Sequence, residues 1–596
     1  MSKVISQRVE QLRQWLINNQ MDALLIPHED EYLGEYLPEH NERLHWATGF
    51  TGSAGVAVIT ADKAAMFVDG RYTVQVTKQV PSDQFEYRHL HNEPAMNWLL
   101  DALPTGSKVA IDPRFHSNAW LNAAIKTVTG SLELVSLTEN PIDTLWSDRP
   151  APQLTNARLM GIDFVGQSSS DKRTLIAKQL TEQSAKAALL TQLDSVCWLL
   201  NVRGSDIPCL PVLLSHAIIH ADASVDFFID ADRLPADFES HVGNNVRIQS
   251  PAALESCLQA LSGQQVLVDS STSNAWASQV LTAANATIIE AADPCNLIKA
   301  QKNPTEIAGM KACHIRDGVA MTKFLSWLDA EVDAGILHDE AQLADKLLSF
   351  RQLDDTLADL SFDTISAAAA NAAMCHYNHI NQPVPGKLAM NSLYLVDSGG
   401  QYPDGTTDIT RTIAIGDPAD ELKEQFTLVL KGHIALAQAK FPAGTCGHQM
   451  DMLARQFLWA KGFDFDHSTG HGVGHFLNVH EGPQSIAKKV NNVALLPGMV
   501  LSNEPGYYRA DAFGIRIENL ELVVEVETDG DFNVLGFESL TRTSIDKRLI
   551  NTNMLTRPEL AWLNSYHQKV WNDISPLVDG DILEWLRNTT SELSYQ

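Results

Sequence analysis

The sequence predicts an α/β (α+β) protein in which two related N-terminal α/β domains precede a C-terminal domain of a different kind. Three observations support this prediction. The chain has 596 residues, too many for a single hydrophobic core, so two to four domains are expected. One order of helix and strand patterns occurs twice in the first half, and a capped helix start at Asn303 marks the beginning of a third domain.

The repeated unit is a helical pattern followed by three strand-like stretches. The order recurs at an offset of roughly 160 residues, which indicates a duplication. We therefore predict domains at 1–160 and 161–302. In the first copy the segments are 7–20, 22–27, 55–59 and 66–72, and in the second they are 171–184, 187–191, 212–219 and 227–230.

The third domain is predicted to span 303–596. Asn303-Pro304-Thr305-Glu306 combines a cap residue, proline at the first helical position and glutamate in the first turn, so a helix is expected from there to about residue 332. Asp417-Pro418 predicts a second long helix, to about residue 440, and a helical extension is expected from about residue 551. The strand candidates of this domain are 392–396, 409–415, 499–503 and 514–525.

Composition restricts the function classes. Hydrophobic residues make up 44% and charged residues 20% of the chain, as in ordinary globular proteins. The N-terminal residues lack an apolar signal core, and no apolar run approaches ~18 residues, so a cytoplasmic protein without a membrane span is predicted. The net charge of −29 disfavours nucleic acid and anionic membranes as partners.

Two aspartates are the first candidate metal ligands. Asp397 ends an apolar strand pattern and precedes a glycine turn, and Asp408 lies on the next strand pattern. Two antiparallel strands with a short connection would place both carboxylates side by side. Like charges at that distance repel unless a cation lies between them, so this pair predicts a metal site.

Histidines and further acids follow. His467, His471, His475 and His480 lie within fourteen residues, among glycines that let the backbone approach a ligand closely. Imidazole is both a common metal ligand and a proton shuttle, so some of the four are expected to be ligands and others acid–base or substrate groups.

Glu504 ends a strand pattern, and Glu518 lies inside an otherwise apolar one, where a carboxylate must be paired or bound to metal. An ion pair with Arg516, on the same face, is the alternative for Glu518. Four carboxylates and one histidine form a hard ligand set that suits two Mn²⁺ ions, with Zn²⁺ or Co²⁺ as replacements. Such a pair of metal ions can activate water and polarise a carbonyl, which predicts a hydrolase.

Nine short segments, in order, resemble the motifs of the pita-bread metallopeptidases. The resemblance covers nearly the whole chain and is close to aminopeptidase P (Xaa-Pro aminopeptidase) in its long, three-domain cytosolic form. It implies two creatinase-like domains followed by a pita-bread catalytic domain. The segments are Gly52–Gly55, Asp69–Tyr72, Arg203–Asp206, Asp397–Gly399, Asp404–Thr412, Gly470–Gly474, Asn478–Pro483, Glu504–Tyr508 and Gly514–Asn519.

The resemblance also implies residue roles. Glu504 would move the proton of the attacking water, and His376 and His480 would stabilise the tetrahedral intermediate. His475 is a rival of His471 as the histidine ligand, and His379 is a rival of His376. The implied metal ligands are Asp397, Asp408, His471, Glu504 and Glu518. The implied substrate-binding residues are Arg71, His376, His467, His471, His480, Tyr508 and Arg516.

The activity implied by the resemblance is hydrolysis of the first peptide bond in peptides whose second residue is proline. A homodimer is implied as well. Two alternatives stay open at this point: a prolidase-type dipeptidase, and a binding module that keeps the fold without its chemistry. The presence of all five candidate ligands argues against the binding module.

Overall fold

The computed structural model describes residues 2–595, which form two compact units. Unit 1 comprises the chain up to Gly161, Gln167–Pro208 and Val212–Asn296. Unit 2 comprises Ile162–Gly166, Cys209–Pro211 and the chain from Leu297 onwards. Among residues 2–595, no helix is both long enough and apolar enough to span a membrane.

The elements up to residue 290 alternate helices and short strands. In the first copy they are α1 Ser2–Asn18, β1 Ala23–Pro27, α2 Arg43–Thr48, β2 Val56–Thr60, β3 Ala64–Val68, α3 Thr73–Gln79, β4 Glu86–His89, α4 Ala95–Ala102, β5 Ser107–Ile111, α5 Asn118–Val128, β6 Leu132–Ser136 and α6 Pro141–Leu145. In the second they are β7 Arg158–Leu159, α7 Ile162–Val165, α8 Ser169–Glu182, β8 Ala187–Leu190, α9 Leu193–Leu200, β9 Val202–Arg203, β10 His216–His220, β11 Val225–Phe228, α10 Phe238–Val242, β12 Val246–Gln249, α11 Leu254–Gln259, β13 Gln265–Val268, α12 Ala275–Ala283 and β14 Thr287–Glu290.

The two six-stranded sheets of unit 1 have the same topology, which confirms the prediction of two related α/β domains. Their strand orders are β4-β3-β2-β1-β5-β6 and β12-β11-β10-β8-β13-β14. The central pairing of each sheet, β1 with β2 in the first and β8 with β10 in the second, is antiparallel. The outer pairings, such as β5 with β6 and β13 with β14, are parallel.

The central strand β1 shows why these sheets are built of short apolar runs. All five of its residues are buried, and their side chains alternate between two cores. Leu24 packs on one face with Val9 of α1, and Leu25 packs on the other with Leu121 of α5. Because helices cover both faces of the sheet, the residues of this strand are hydrophobic throughout rather than alternating between hydrophobic and polar.

Unit 2 contains the long helices and a mixed set of sheets. Its elements are α13 Asn296–Ala300, α14 Pro304–Asp333, α15 Glu340–Arg351, β15 Asp359–Leu360, β16 Ile365–Ala368, β17 Ser392–Ser398, β18 Gly400–Tyr402, β19 Gly405–Thr406, β20 Ile409–Ile415, α16 Asp420–Ala437, β21 Phe441–Pro442, α17 Asp451–Trp459, β22 Gly470–Gly472, β23 Glu481–Ile486, β24 Val500–Asn503, β25 Gly506–Arg509, β26 Phe513–Arg516, β27 Asn519–Val526, β28 Val534–Ser539, α18 Arg557–Ile574 and α19 Gly580–Thr590.

The helix predicted at Asn303 forms as expected. The Asn303 side chain accepts from the backbone N–H groups of Thr305 and Glu306, and the Glu306 carboxylate accepts from the Asn303 N–H, which completes a capping box. The second long helix begins later than predicted. It begins at Asp420 behind Ala419, and Asp417 instead pairs with Lys423.

The prediction of one strand over residues 514–525 is wrong. The segment forms two strands, β26 and β27, that belong to different sheets. β26 pairs with β25 only, whereas β27 lies between β24 and β28. The chain changes sheets at Ile517 and Glu518, and a change of pairing partner cannot be read from alternating hydrophobicity alone.

Candidate metal centre

Strands β17 and β20 bring the first two acids together. They pair antiparallel, with Asp397 opposite Thr410, so Asp408 lies just before the paired part of β20. Both carboxylates are buried, with 8% of Asp397 and 4% of Asp408 exposed. The two strands therefore pair as predicted, with Asp397 on one and Asp408 directly before the other.

Glu518 reaches the same place from the break between β26 and β27. Its backbone N–H donates to the carbonyl of Thr410 at 3.1 Å, and its Oε2 accepts from the Thr410 hydroxyl at 2.9 Å. Thr410 therefore fixes both the backbone and the carboxylate of Glu518. Thr410 is not among the candidate residues predicted from the sequence, although its place two residues after Asp408 in an apolar strand pattern is a usable signal.

His471 supplies the nitrogen of the cluster. Ligand atoms of Asp408, His471 and Glu518 all lie within 4.8 Å of one another. Nδ1 of His471 lies 2.8 Å from the carbonyl of Gly472, and a carbonyl can only accept, so Nδ1 carries the proton. Nε2 is then left as a lone-pair donor, 3.5 Å from Asp408, which is the tautomer that a metal-binding histidine needs.

Glu504 completes the group at the end of β24. Its Oε1 lies 3.6 Å from Nε2 of His471 and accepts from the hydroxyl of Ser502 at 3.2 Å. The Ser502 hydroxyl also accepts from the His471 N–H at 2.9 Å, so one serine holds both residues. His475, the rival of His471, is not a member of this three-residue group.

The acids of this cluster outnumber the cation that borders them, Arg516. Burial, reinforced by Asp397, raises the pKa of Asp408 well above its usual range. Burial and the neighbouring aspartates likewise raise the pKa of Glu518, and burial together with Glu518 raises the pKa of Glu504 to about 8. Oδ1 of Asp397 is buried without a hydrogen-bond partner among the described residues. A crowded group of carboxylate oxygens, one of which has no hydrogen-bond donor, fits the binding of divalent cations.

Arg516 and Tyr508 border the acids. Arg516 donates from Nη2 to Asp397 Oδ2 at 2.5 Å and from Nε to the hydroxyl of Thr410 at 3.1 Å. Its ion pair is thus made with Asp397, while Glu518 is bonded to Thr410. Arg516 Nη1 also donates to the Tyr508 hydroxyl at 2.7 Å.

Two of the predicted substrate histidines lie beside these residues. Nε2 of His467 is 2.8 Å from the Tyr508 hydroxyl, and its Nδ1 lies 3.8 Å from Glu504. The ring of His480 meets the ring of His471 edge-on, with 4.3 Å between centroids. The structure therefore brings His467 and His480 to the cluster.

His376 and His379 lie on the segment that follows β16. The carbonyl of Cys375, the residue before His376, accepts from Arg516 Nη2 at 3.3 Å, so the backbone at His376 adjoins Arg516. His379 opens a separate 3₁₀ turn, His379–Asn381. Adjacency to Arg516 favours His376 over its rival.

Arg71 belongs to unit 1. It donates to Asp69 from Nε at 3.1 Å and from Nη2 at 2.8 Å, and it lies 3.4 Å from Glu35. These acids orient its guanidinium within the first domain. Its substrate contact stays a prediction.

Comparison with known proteins defines the family. The pattern of metallopeptidase family M24 matches residues 308–525, and that of the C-terminal region of this peptidase family matches residues 533–593. Patterns of the creatinase/prolidase N-terminal domain match residues 8–145 and 148–306. A probable Xaa-Pro aminopeptidase P from Laccaria bicolor is 40% identical over 99% of this chain and 94% of its own length. The chain belongs to the aminopeptidase P group of metallopeptidase family M24.

Other members of the aminopeptidase P group support the same assignment. Aminopeptidase P2 of Arabidopsis thaliana is 39% identical over 96% of this chain and 86% of its own length. The crystal structure of X-prolyl aminopeptidase from Caenorhabditis elegans, described as a cytosolic enzyme with a di-nuclear active site, superposes with a TM-score of 0.95. It is 33% identical and covers 99% of this chain and 100% of its own. The predicted family and fold class are confirmed.

Proposed function

We propose that this aminopeptidase P family member removes the first residue of peptides whose second residue is proline. The observation that carries the proposal is the group of Asp408, His471 and Glu518, in which both carboxylates are buried and the ligand atoms lie within 4.8 Å of one another. Its setting in a chain 40% identical to a probable Xaa-Pro aminopeptidase P supplies the substrate class.

The proposed ligands of two divalent ions are Asp397, Asp408, His471, Glu504 and Glu518. Mn²⁺ suits a set of four carboxylates and one imidazole, and Zn²⁺ or Co²⁺ are possible replacements. When bound, the ions would activate water and polarise the scissile carbonyl. Metal analysis of the purified protein by mass spectrometry tests the identity of the ion, and a stoichiometry near one would contradict a two-metal centre.

The protein's own side chains would manage the proton and the developing charge. Glu504 lies 3.6 Å from His471 and is steered by Ser502, so it is placed to accept the proton of the attacking water. His480, edge-on to His471, and His376 would donate hydrogen bonds to the oxyanion as it forms.

Substrate contacts are proposed for a second set of residues. The Tyr508 hydroxyl is hydrogen-bonded to both His467 and Arg516, beside the candidate metal ligands. These three side chains can orient the backbone of the bound peptide. Arg71 of the first domain is proposed to contact the substrate, and its hydrogen bond to Asp69 orients its guanidinium group. Proline at the second position has no N–H, so a site for it needs apolar surface rather than an acceptor.

The deciding experiment compares a tripeptide Ala-Pro-Ala with the dipeptide Ala-Pro. We expect release of alanine from the tripeptide, loss of activity with a chelator and recovery with Mn²⁺. Ala-Ala-Ala serves as the matched control for proline. Cleavage of the dipeptide alone would identify a prolidase instead, and activity that persists after complete metal removal would contradict the metal-dependent mechanism.

Assembly, location and domain limits complete the proposal. We infer a cytoplasmic location, which the cytosolic relative from Caenorhabditis elegans supports, and domains at 1–160, 161–302 and 303–596, which the matched family patterns support. A homodimer is proposed from the resemblance to the family alone. Light scattering on a sizing column tests the dimer: a mass near 65.6 kDa rather than twice that value would contradict it.

A further inference from the structure

A fully buried carboxylate lies outside the ligand set, at the first residue of α15. Glu340 is 0% exposed and follows Asp339, whose side chain caps the helix. The N-terminal end of a helix favours negative charge, so the position suits a carboxylate. Burial nevertheless demands hydrogen bonds for both of its oxygens.

Oε1 of Glu340 is satisfied by the start of the segment that carries His376. It accepts from the backbone N–H of Ala368 at 2.7 Å and from the side-chain amide of Asn371 at 2.9 Å. Ala368 is the last residue of β16, so this oxygen fixes the point where the chain leaves the strand.

Oε2 is satisfied by the middle and the end of the same segment. It accepts from the Tyr377 hydroxyl and from the Gly386 N–H, each at 2.6 Å. The Glu340 N–H in turn donates to the Gly386 carbonyl at 2.9 Å. A Cβ at Gly386 would lie 2.7 Å from Glu340 Oε1, so a side chain at this position would displace the carboxylate.

The opposite side of this segment meets the candidate metal centre. Arg516 donates to the Cys375 carbonyl, and a Cβ added to Gly514 would lie 1.8 Å from the Ala372 carbonyl oxygen, which shows how closely β26 packs there. Residues 368–386 are therefore attached to the Glu340 carboxylate at four positions and to β26 at Ala372 and Cys375, next to His376. We name this stretch the His376 segment.

We propose that Glu340 is a positioning residue of the reaction: its carboxylate sets the place of His376 by anchoring the His376 segment at four donors. The proposal rests on the function proposed above, because it assigns Glu340 an effect only through His376. The carboxylate is needed because all four partners donate; glutamine would turn an N–H₂ group toward two of those donors. The resulting shift would move a catalytic side chain, and misplacement by about 1 Å can cost about 10²-fold in rate.

The first test is a double-mutant cycle in kcat/KM on Ala-Pro-Ala with Glu340→Gln and His376→Ala. We expect E340Q to lower kcat/KM by about 10- to 100-fold, mainly through kcat, since a misplaced transition-state group leaves substrate binding largely intact. We expect E340Q to have no further effect when added to H376A. The proposal is overturned if the fold-decrease in kcat/KM of the double variant equals the product of the two single-variant decreases. It is also overturned if E340Q keeps the wild-type kcat/KM.

The matched control is Asp226→Asn in unit 1, another buried carboxylate with several side-chain donors, from Arg247, His220 and Gln249. It should destabilise the fold without changing kcat/KM. Metal content is measured in every variant, and a loss of metal in E340Q would also overturn the proposal, because Glu340 would then act through the centre rather than through His376.

A second readout does not depend on activity. Lys387, next to Gly386, is the one trypsin site between Arg351 and Arg411. The bond after it is part of an ordered backbone, because the Leu388 N–H donates to the His338 carbonyl. We expect cleavage after Lys387, followed by mass spectrometry, to be at least about tenfold faster in E340Q than in D226N, because local opening exposes the bond. Equal rates overturn the anchoring. If the wild-type protein does not cleave Ala-Pro-Ala, the proposed function fails, yet this measurement still decides the anchoring.

Tyr377→Phe covers the case in which E340Q does not fold. It removes one donor to Glu340 and leaves the carboxylate in place. A fall in kcat/KM of about three- to tenfold, absent when Y377F is added to H376A, supports the proposal, whereas wild-type kinetics contradict it.

Discussion

Asp226 in unit 1 and Asp408 in unit 2 are both buried carboxylates, yet their partners differ. Asp226 accepts from Arg247 at 2.7 and 2.8 Å and from His220 at 2.8 Å. Although burial acts against the charge, the hydrogen bonds from Arg247 and His220 lower the pKa of Asp226 to about 2. Burial and Asp397 instead raise the pKa of Asp408.

The difference separates a structural carboxylate from one that we propose to bind metal. Asp226 has its countercharge within the fold, so its ionised form stabilises the protein. Asp408, Glu518 and Glu504 share one region with too few positive groups, so they leave room for cations that the fold does not provide. This contrast leads to four predictions, from the largest expected effect to the smallest.

Replacing Asp408 should affect activity and stability in opposite directions. Asp408→Asn is expected to lower kcat/KM on Ala-Pro-Ala by about 10³-fold or more, a loss of about 4 kcal/mol in transition-state stabilisation. In chelator, the same change should raise the free energy of unfolding by about 1 kcal/mol, because one repelling charge is removed. Urea unfolding with and without chelator measures this. If D408N in chelator is less stable than the wild type in chelator, the acids around Asp408 do not repel one another as proposed.

Divalent cations should stabilise the wild-type protein strongly. At a Mn²⁺ concentration 100 times the dissociation constant, the free energy of unfolding is expected to rise by about 2.7 kcal/mol. Thermal unfolding scans over a Mn²⁺ titration detect the shift. D408N should respond much less and D226N as much as wild type; an equal response of D408N would show that the ions bind elsewhere.

Replacing Asp226 should do the reverse of replacing Asp408. Asp226→Asn is expected to lower the free energy of unfolding by about 1–2 kcal/mol, because the charged hydrogen bonds from Arg247 and His220 are lost. The partial exposure of these two side chains to water keeps the loss small. Activity should stay unchanged. Urea unfolding at neutral pH tests this, with the exposed Asp417→Asn as the control, and stabilisation by D226N would break the comparison.

The smallest effect is a pH dependence. The pKa of Asp226 is about 2 in the folded state and about 3.9 when unfolded, so its ionised form adds stability above pH 4 that is lost as pH falls toward 2. The stability difference between wild type and D226N should therefore hold near pH 5 and shrink below pH 4. A difference that grows on acidification would contradict the low folded-state pKa.

Several parts of the fold and centre could be predicted from local patterns. The repeated helix and strand order, the capped start of α14 and the pairing of β17 with β20, which Asp408 directly precedes, all depend on residues close in sequence. The break at Glu518 could not, because β26 and β27 are both apolar and differ only in their partners. The ion pair of Arg516 with Asp397 joins residues 119 positions apart, which periodicity does not encode.

The sequence by itself determined the family, the α/β order and the residue types that can bind metal, because motifs, caps and periodicity are local properties. Only the tertiary structure decided which of these groups meet: His471 rather than His475 joins Asp408 and Glu518, and Arg516 turns to Asp397. It also brought out Glu340, whose four donors converge from residues 28 to 46 positions away. Burial and long-range packing decide such contacts, since a buried carboxylate takes whichever donors the fold brings to it.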